Sequence, residues 1–380
     1  MTDTIVPHSF SDAAAALAEA ASAGRPVRIV GGGTKLGWGG FAPANALRLQ
    51  MAHLSRVTIH EDGGAATINA GTPLVRAQTI FARSGLMLAA DPQLGLGRMP
   101  AATVGGVVAT ADSGPLSHRH GPLRNQLIGI TVALSDGSIV RTGPRTDHVQ
   151  NGLDLTRLFA GSFGTLGAIL AVDVKLRPLP GRTASALATA RSAEQLTSAA
   201  QLVADAHPEL EALDFAWRAG RGGLLAQVAG DEAEARAAAV ALTMRRGGLD
   251  DAAVRSDDAG LWARQRAGQR SADRGLLRLD HDPQQLDSVL YAADAGGATV
   301  VGRAVLGIAY LTLDVAEIAT VRGALPDQAG ALALDLPGSA RGTVQPWNVA
   351  EGPALELMRE LKGEFDPAGI CNPGVFVGSI

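Results

Sequence analysis

The sequence predicts an α+β protein built from two domains and a C-terminal segment. Three glycine-rich motifs precede Pro180, and the first and third adjoin runs typical of a β-strand. After Pro180 the chain twice repeats the order strand, helix, strand, strand, helix, which predicts antiparallel sheet with helices on one face. We therefore expect a first domain at 1–180, a second at 181–340, and a segment at 341–380 that returns to the first domain.

The first glycine motif follows the β-branched run Val27–Val30. Its glycines at 31–33 let backbone N–H groups approach a ligand, and consecutive amides in such a loop bind anions. Thr34 adds a hydroxyl and Lys35 a positive charge, so the motif predicts a phosphate or pyrophosphate site. The dinucleotide fingerprint fails because Leu36 stands where its third glycine belongs, and no Walker run occurs. A plain strand-to-loop turn is the alternative interpretation.

A second and a third glycine motif lie downstream. Thr103 is placed to cap a short helix whose first turn holds Gly105 and Gly106, and a helix start without side chains is another anion site. The third motif, at 160–167, leads into a strand. Near the N-terminus, Ser11 is the expected cap of an alanine-rich helix that runs to about Ala23.

The second predicted domain contains the repeated order of strands and helices. Between its two units, residues 247–275 are rich in charge and show no clear helix or strand pattern. Each repeat corresponds to one ferredoxin-like unit of sheet and helices. The predicted elements are 185–189, 192–206, 213–217, 224–229 and 231–246 in the first unit, and 276–280, 283–295, 299–305, 307–313 and 316–323 in the second.

Composition narrows the class of protein. The net charge of −4 lacks the excess of positive charge that is typical of nucleic-acid-binding proteins. The single cysteine, Cys371, excludes an internal disulfide and a cysteine-ligated cluster. No apolar run approaches the length of a membrane span, and the N-terminal residues lack the pattern of a secretion signal. We expect a cytoplasmic protein without an integral membrane segment, peripheral to a membrane only through partners.

The three motifs together resemble a known family. RIVGGGTKLGWGG, ATVGGVVATADSGPLSHRHG and DLTRLFAGSFGTLGAILAVDVKLRP, in that order, are similar to the PCMH-type FAD-binding domain of the vanillyl-alcohol oxidase/p-cresol methylhydroxylase superfamily. The closing CNPGVFVG resembles the end of the same proteins. Within the superfamily, the chain looks most like the FAD-binding subunit of bacterial glycolate oxidase. The resemblance implies a two-subdomain FAD domain followed by a cap domain.

The resemblance also implies the cofactor and its contacts. FAD would lie in the first domain, with its pyrophosphate on the first glycine loop. The residues expected to bind it are Val30, Gly31, Gly32, Gly33, Thr34, Lys35, Leu36, Pro92, Ala102, Thr103, Gly105, Gly106, Ala109, Thr110, Gly121, Gly164, Thr165, Leu166, Gly167, Ile169 and Asn372.

The chain departs from the family pattern at three points. An asparagine common after the double glycine is absent from the run 110–114, and Phe163 replaces a common glutamate. An apolar residue at that place is typical of the glycolate oxidase subunit. Members with covalent flavin often carry a histidine just after the first loop, and none lies between His8 and His53. We therefore expect FAD to be bound non-covalently.

Four residues are candidates for a role in catalysis. Oxidation of a substrate by a flavin needs an oriented substrate and a polar or basic group near the flavin ring. Arg119 and His120 follow the second motif, where bracing of FAD phosphates or ordinary loop hydrogen bonds are the alternative roles. Arg303 and Tyr310 lie on adjacent predicted strands of the cap. No metal site is predicted, because His281 between two aspartates is more typical of a solvated turn.

Three hypotheses about function follow from the resemblance. The chain is the FAD-binding subunit of a glycolate-oxidase-like 2-hydroxy acid dehydrogenase, with a catalytic flavoprotein and an iron-sulfur protein as partners. Alternatively, it is a self-sufficient, metal-independent flavin oxidase or dehydrogenase of an alcohol or hydroxy acid. The third hypothesis is a structural subunit that has lost FAD, against which the three intact glycine motifs argue.

Overall fold

The computed structural model describes residues 3–96, 101–143, 154–340, 342–349 and 351–380. Up to residue 180 the elements are β1 (Thr4–Ile5), α1 (Phe10–Ser22), β2 (Val27–Val30), β3 (Leu47–Gln50), β4 (Val57–Ile59), β5 (Ala65–Asn69), α2 (Leu74–Ala82), β6 (Leu86–Met87), α3 (Val104–Ala109), α4 (Ser117–His120), β7 (Leu127–Ala133), β8 (Ile139–Thr142), α5 (Leu155–Phe159), β9 (Ala168–Lys175) and β10 (Arg177–Pro178).

The remaining elements lie at residues 181–340, for which we keep the name cap, and in the C-terminal segment. They are β11 (Thr183–Ala190), α6 (Ala193–Ala206), β12 (Ala212–Arg218), β13 (Arg221–Ala229), α7 (Ala233–Arg246), β14 (Asp250–Arg255), α8 (Ala259–Ala267), β15 (Gly275–Asp280), α9 (Leu286–Ala295), β16 (Thr299–Arg303), β17 (Ile308–Leu313), α10 (Ile318–Ala324), β18 (Gly330–Ala333) and α11 (Pro353–Phe365).

The N-terminal domain contains two main sheets. Parallel strands in the order β1-β3-β2 form one, and antiparallel strands in the order β4-β5-β9-β7-β8 form the other. Helix α1 lies between them, with Ala13 and Leu17 packed against Leu49 and Leu170. This arrangement places the end of β2, and thus the first glycine motif, at the seam between the two sheets.

The predicted start of α1 at Ser11 is wrong by two residues. Ser9 caps the helix, because its hydroxyl accepts the Asp12 N–H at 3.1 Å and the Asp12 carboxylate accepts the Ser9 N–H at 2.9 Å. This reciprocal pair satisfies backbone donors of the first turn that a cap at Ser11 would leave unpaired.

The cap is a single antiparallel sheet in the order β14-β11-β13-β12-β16-β17-β15-β18. Each half has the order of a ferredoxin-like unit, and the halves join where β12 pairs with β16, with Asp214 opposite Arg303. Helices α6, α7 and α9 cover one face through an apolar core that includes Leu196, Val240 and Leu290. The predicted α+β class is therefore confirmed.

The sequence missed the fourth strand of each unit. Strand β14 pairs with β11, and β18 pairs with β15. The interval 247–275, read as charged and irregular, holds β14 and α8. Both missed strands lie at the edges of the sheet, where polar side chains are tolerated and the alternating pattern is weak.

The C-terminal segment lies against β2. The Val27 N–H donates to the Ile370 carbonyl at 2.7 Å, and the Asn372 N–H donates to the Val27 carbonyl at 2.9 Å. Cys371 forms a parallel bridge with Val27, so the chain beyond α11 extends the sheet of β1, β2 and β3. Among the helices in the described ranges, none is both long and apolar enough to cross a membrane.

Candidate functional site

The three glycine motifs and the C-terminal segment surround one cleft, which opens to solvent. It is lined by Arg28, Ile29, Gly31, Gly32, Gly33, Thr34, Lys35, Leu36, Trp38, Met51, Ala70, Thr103, Gly105, Gly106, Ala109, Thr110, Phe163, Gly164, Gly167, Ile169, Asn372 and Val375.

The first and second glycine motifs touch through their backbones. A Cβ atom on Gly31 would stand 2.1 Å from Thr103 Oγ1, and one on Gly32 would stand 1.6 Å from the Ala101 carbonyl oxygen. Neither distance is possible for a real side chain. Glycine is therefore required here for packing, in addition to leaving the amides of the loop open to a ligand.

Thr103 caps α3 as predicted. Its hydroxyl accepts the Gly106 N–H at 3.4 Å, and the Gly105 N–H donates to the Ala70 carbonyl at 2.9 Å. The helix start thus stands at the wall of the cleft opposite the first loop, with Gly105 and Gly106 in the lining. The N–H groups of residues 104–106 are therefore already paired within the protein, so they do not form the anion site expected at this helix start. The first glycine loop, on the facing wall, is the side whose backbone suits a negatively charged ligand.

Two cationic side chains line the same cleft. Lys35 Nζ lies 3.1 Å from Asp112 Oδ2, and both side chains are buried. Arg28 donates through Nη2 to the Leu36 carbonyl at 2.9 Å, while its buried Nη1 has no hydrogen-bond partner among the described residues. Burial, with a smaller contribution from nearby Arg48, lowers the Arg28 pKa to about 10. Arg28 remains charged at neutral pH, and a pyrophosphate would satisfy its free N–H.

The third glycine motif meets the C-terminal segment at Asn372. The Asn372 side chain accepts the Ile29 N–H at 2.8 Å and donates to the Phe163 carbonyl at 2.6 Å. Phe163 has a positive φ of 55° and packs against Trp347 and Phe376. A non-glycine residue in this conformation is held by its surroundings, here the aromatic cluster and the Asn372 contact.

The structure brings most of the predicted cofactor residues together, although not all of them. Fifteen of the twenty-one line the cleft. Val30, at the end of β2, and Ala102, directly before Thr103, are buried and do not line it. Those that do not line the cleft are Val30, Pro92, Ala102, Gly121, Thr165 and Leu166.

Arg119 and His120 lie elsewhere. Arg119 Nε stands 3.2 Å from Glu211 Oε1, and His120 Nε2 stands 3.0 Å from Glu211 Oε2. The two residues connect α4 to the start of β12, and neither lines the cleft. These contacts account for both side chains as a link between the N-terminal domain and the cap.

Arg303 and Tyr310 are buried between the cap sheet and the N-terminal domain. Arg303 Nη1 donates to Asp214 Oδ2 at 2.8 Å, with both side chains fully buried, and Nη2 donates to the Ser113 carbonyl at 3.3 Å. The Arg303 guanidinium also lies 5.8 Å from the centre of the Tyr310 ring. Strand alternation therefore directs both residues away from the helices and toward the loop that carries Asp112 and Ser113.

Protonation in this cluster follows from burial. Burial raises the pKa of Asp214 to about 6, and Arg303 opposes the rise. Burial likewise raises the pKa of Tyr310, which keeps its hydroxyl neutral at physiological pH. Arg303 Nε and Asp214 Oδ1 are buried with no hydrogen-bond partner among the described residues. The cluster thus offers a cation, a neutral hydroxyl and unsatisfied polar atoms.

Sequence reasoning did not assign several cleft residues. Ile29 lies on β2 before the first glycine loop, and Trp38 follows its first three glycines. In the sequence, Phe163 stands out only as a departure from the family pattern. Arg28 and Ile29 lie on β2 directly before the glycine loop, and this adjacency is the signal that would have pointed to them. The complete unassigned set is Arg28, Ile29, Trp38, Met51, Ala70, Phe163 and Val375.

Comparison with known proteins gives two family matches. Residues 3–143 match the FAD binding domain, and residues 348–376 match the C-terminal domain of FAD linked oxidases. These matches agree with the cleft geometry in assigning FAD as the cofactor, and they argue against a chain that has lost it. Within the described residues, no group of three or more histidine, cysteine, aspartate or glutamate side chains is placed to hold a metal ion.

Similar proteins are oxidoreductases. An uncharacterized FAD-linked oxidoreductase of Mycobacterium tuberculosis is 26% identical over 98% of this chain and 90% of that protein. Glycolate oxidase subunit GlcD of Bacillus subtilis is 33% identical over 47% of this chain and 37% of that protein. A mitochondrial D-lactate dehydrogenase (cytochrome) of Arabidopsis thaliana is 31% identical over 41% of this chain and 26% of that protein.

The fold matches a solved structure over nearly its whole length. Alkyldihydroxyacetonephosphate synthase superposes with a TM-score of 0.70, covering 97% of this chain and 76% of that one at 14% identity. This likeness concerns the fold alone. The two family matches and the similar proteins, together with the cleft, show that the chain is an FAD-dependent oxidoreductase.

Proposed function

We propose that this chain takes part in the FAD-dependent oxidation of a 2-hydroxy acid, as the FAD-binding subunit of a glycolate-oxidase-like complex. The observation that carries the proposal is Arg303, a fully buried cation facing the loop next to the FAD cleft. Relatives named as a glycolate oxidase subunit and as D-lactate dehydrogenases support a hydroxy acid as substrate.

The chemistry needs a group for the carboxylate and a group for the hydroxyl of such a substrate. The unsatisfied Nε–H of Arg303 suits a carboxylate oxygen, because arginine binds carboxylates through charge-assisted hydrogen bonds. The neutral hydroxyl of Tyr310 suits the substrate oxygen. Asp214 holds Arg303 in place, and bound FAD supplies the acceptor for two electrons.

A path of contacts leads from this cluster to the cleft. Thr110 lines the cleft, Asp112 pairs with cleft-lining Lys35, and Ser113 accepts from Arg303. Trp38 lines the cleft and also packs in one apolar cluster with Tyr310. Residues 110–113 would thus have the substrate on one side and FAD on the other, an arrangement that suits electron transfer from substrate to cofactor.

A second candidate is a self-sufficient, metal-independent dehydrogenase. The observation that favours it is that the buried cation and the tyrosine belong to this chain rather than to a partner. Under this hypothesis the purified chain turns over a hydroxy acid alone. Under the first, it does so only after a catalytic flavoprotein and an iron-sulfur protein are added.

The test is anaerobic bleaching of the flavin spectrum. Purified chain, alone and with co-expressed neighbouring subunits, is mixed with glycolate, with D-lactate and with benzyl alcohol as a substrate without a carboxylate. Arg303→Met and Tyr310→Phe are compared with Arg236→Met, whose side chain pairs with Glu209 and donates to the Ala229 carbonyl.

The outcomes separate the hypotheses. Bleaching by a hydroxy acid that Arg303→Met abolishes and Arg236→Met preserves supports the proposal. Bleaching that needs no partner selects the self-sufficient enzyme, whereas bleaching only with partners selects the subunit. Bleaching by benzyl alcohol alone, or equal bleaching by Arg303→Met and wild type, would overturn the assignment of a hydroxy acid.

A further inference from the structure

We propose that two cap residues, Arg270 and Asp335, hold the first glycine loop in its FAD-binding conformation and so set the affinity for FAD. Arg270 Nη2 donates to the Thr34 carbonyl oxygen at 2.8 Å, although the two residues are 236 positions apart. Thr34 lines the cleft and Arg270 does not. Arg270 is therefore a positioning residue, which acts on the cofactor through the loop. The inference rests on FAD as cofactor and is independent of the proposed substrate.

Asp335 fixes the position of Arg270. Its carboxylate accepts from Arg270 Nε at 2.7 Å and from Arg270 Nη2 at 3.0 Å, a two-point contact that allows one orientation of the guanidinium. The Ser271 N–H donates to the same carboxylate at 3.1 Å. The Arg270 side chain is 5% exposed and that of Asp335 11%, so water screens the pair little.

Trp38 connects this pair to the far end of the loop. Trp38 Nε1 donates to Asp335 Oδ1 at 3.0 Å, and the Arg270 guanidinium lies 5.2 Å from the centre of the Trp38 ring. Lys35 Nζ lies 5.4 Å from the same ring. Cations at these distances are attracted to an indole ring. The cap thus contacts the loop at residues 34 and 38, on both sides of Lys35.

The apolar surroundings of Trp38 show that the contact is built into the interface. Trp38 is 3% exposed and packs with Leu276, Val301, Tyr310 and Leu334, all from the cap. Lys35 and Leu36, which lie between the two anchors, line the cleft. If the anchors are released, the loop loses the contacts that fix its backbone amides, and part of the binding free energy for FAD must then be used to order it.

A merely structural role would look different. Loss of a buried contact in the interface would lower the melting temperature of the apoprotein and leave the dissociation constant for FAD unchanged. A positioning role raises that constant and speeds amide hydrogen exchange in residues 31–40. The two readouts together distinguish the roles.

The experiment uses the full chain and four variants. Arg270→Met removes the charge and the donors while it keeps the length of the stem, and Arg270→Lys keeps the charge without the two-point contact. Trp38→Phe removes the N–H donated to Asp335 together with part of the ring that packs against the cap. The matched control is Arg274→Met, four residues along the same segment, whose side chain pairs with the exposed Asp314 and does not touch the loop.

FAD affinity is measured by titrating FAD into apoprotein and following flavin fluorescence, and exchange is followed by mass spectrometry. We expect the dissociation constant to rise about tenfold in Arg270→Met and less in Arg270→Lys and Trp38→Phe, with faster exchange in 31–40 and no change in Arg274→Met.

A dissociation constant within twofold of wild type in folded Arg270→Met would overturn the proposal, as would wild-type exchange in the loop. If Arg270→Met does not fold, Trp38→Phe decides by the same criteria. If the flavin proves impossible to remove, the exchange rates decide alone. Loss of activity with hydroxy acids while these readouts stay at wild-type values would concern the proposed substrate, not this inference.

Discussion

Asn372 donates its side-chain N–H to the carbonyl oxygen of Phe163 at 2.6 Å, across 209 residues of sequence. Its amide oxygen accepts the Ile29 N–H at 2.8 Å. A single side chain from the C-terminal segment therefore fixes the first and third glycine motifs relative to each other. The FAD cleft is completed only when this segment is in place.

The first prediction concerns this contact. Asn372→Asp keeps the oxygen that accepts from Ile29 and turns a second oxygen toward the Phe163 carbonyl, where the donor is lost. Two acceptors then face each other in a buried place, which we expect to destabilise the fold by about 1–3 kcal/mol. Urea unfolding of the apoprotein measures the loss. An unchanged midpoint would show that the donated hydrogen bond contributes nothing.

The second prediction concerns the contact between the first two glycine motifs. Gly32→Ala places a methyl group 1.6 Å from the Ala101 carbonyl, so the loops must separate. We expect a loss of about 1–3 kcal/mol in stability, together with weaker FAD binding. Gly181→Ala is the control, because nothing lies within 4 Å of its added methyl group. Equal melting temperatures for the two variants would contradict the packing role of Gly32.

A third prediction addresses the buried ion pair in the interface. Arg303→Met leaves Asp214 buried without its partner and is expected to cost about 3–5 kcal/mol of stability. The double variant Arg303→Met with Asp214→Leu should recover most of that loss, because no buried charge remains. Arg157→Met, which breaks an exposed pair with Asp154, should cost about 0–1 kcal/mol. A double variant no more stable than the single one would show that lost packing, and not the unpaired charge of Asp214, causes the loss of stability.

The fourth prediction is a dependence of stability on pH. Asp214 titrates at a pKa of about 6 in the folded chain against an ordinary value of 3.8, mainly because it is buried. Between these values the folded chain holds a proton that the unfolded chain has released, so the contribution of this group to stability is lost as pH rises. Relative to Asp214→Asn, the wild type should lose on the order of 3 kcal/mol between pH 4 and pH 7.

Denaturant unfolding of both proteins at several pH values measures this difference. A difference that stays constant over the range, or grows in the opposite direction, would show that Asp214 is ionised throughout and that Arg303 outweighs the effect of burial.

The local features of the site follow from the sequence because short-range chemistry determines them. A β-branched strand that runs into glycines, and Thr103 before two glycines, need no tertiary information to be recognised. The sequence places Arg303 and Tyr310 on adjacent strands, but it does not tell which face of the sheet they occupy. The pairing of β16 with β17 decides this, and it puts both residues on the same face. Strands β14 and β18 exist because β11 and β15 offer them an edge, which no local pattern encodes.

Contacts between distant residues were beyond sequence reasoning for the same reason. Arg119 and His120 look like active-site residues in a loop after a glycine motif, yet Glu211 of the cap accounts for both. The interval that contains Arg270 is rich in charge and shows no clear element in the sequence, although Asp335, Trp38 and Thr34 contact Arg270 and it is buried. Charge in the sequence predicts exposure only when no partner is folded against it.

The bridge between Val27 and Cys371 also determines when the cofactor can be acquired during biosynthesis. The strand that leads into the first glycine loop is made early by the ribosome, whereas Asn372, which binds Ile29, is made 343 residues later. Flavin capture must therefore follow synthesis of the cap and of the C-terminal segment. A chain truncated before residue 372 should accumulate in cells without its yellow colour, even where its glycine loops are intact.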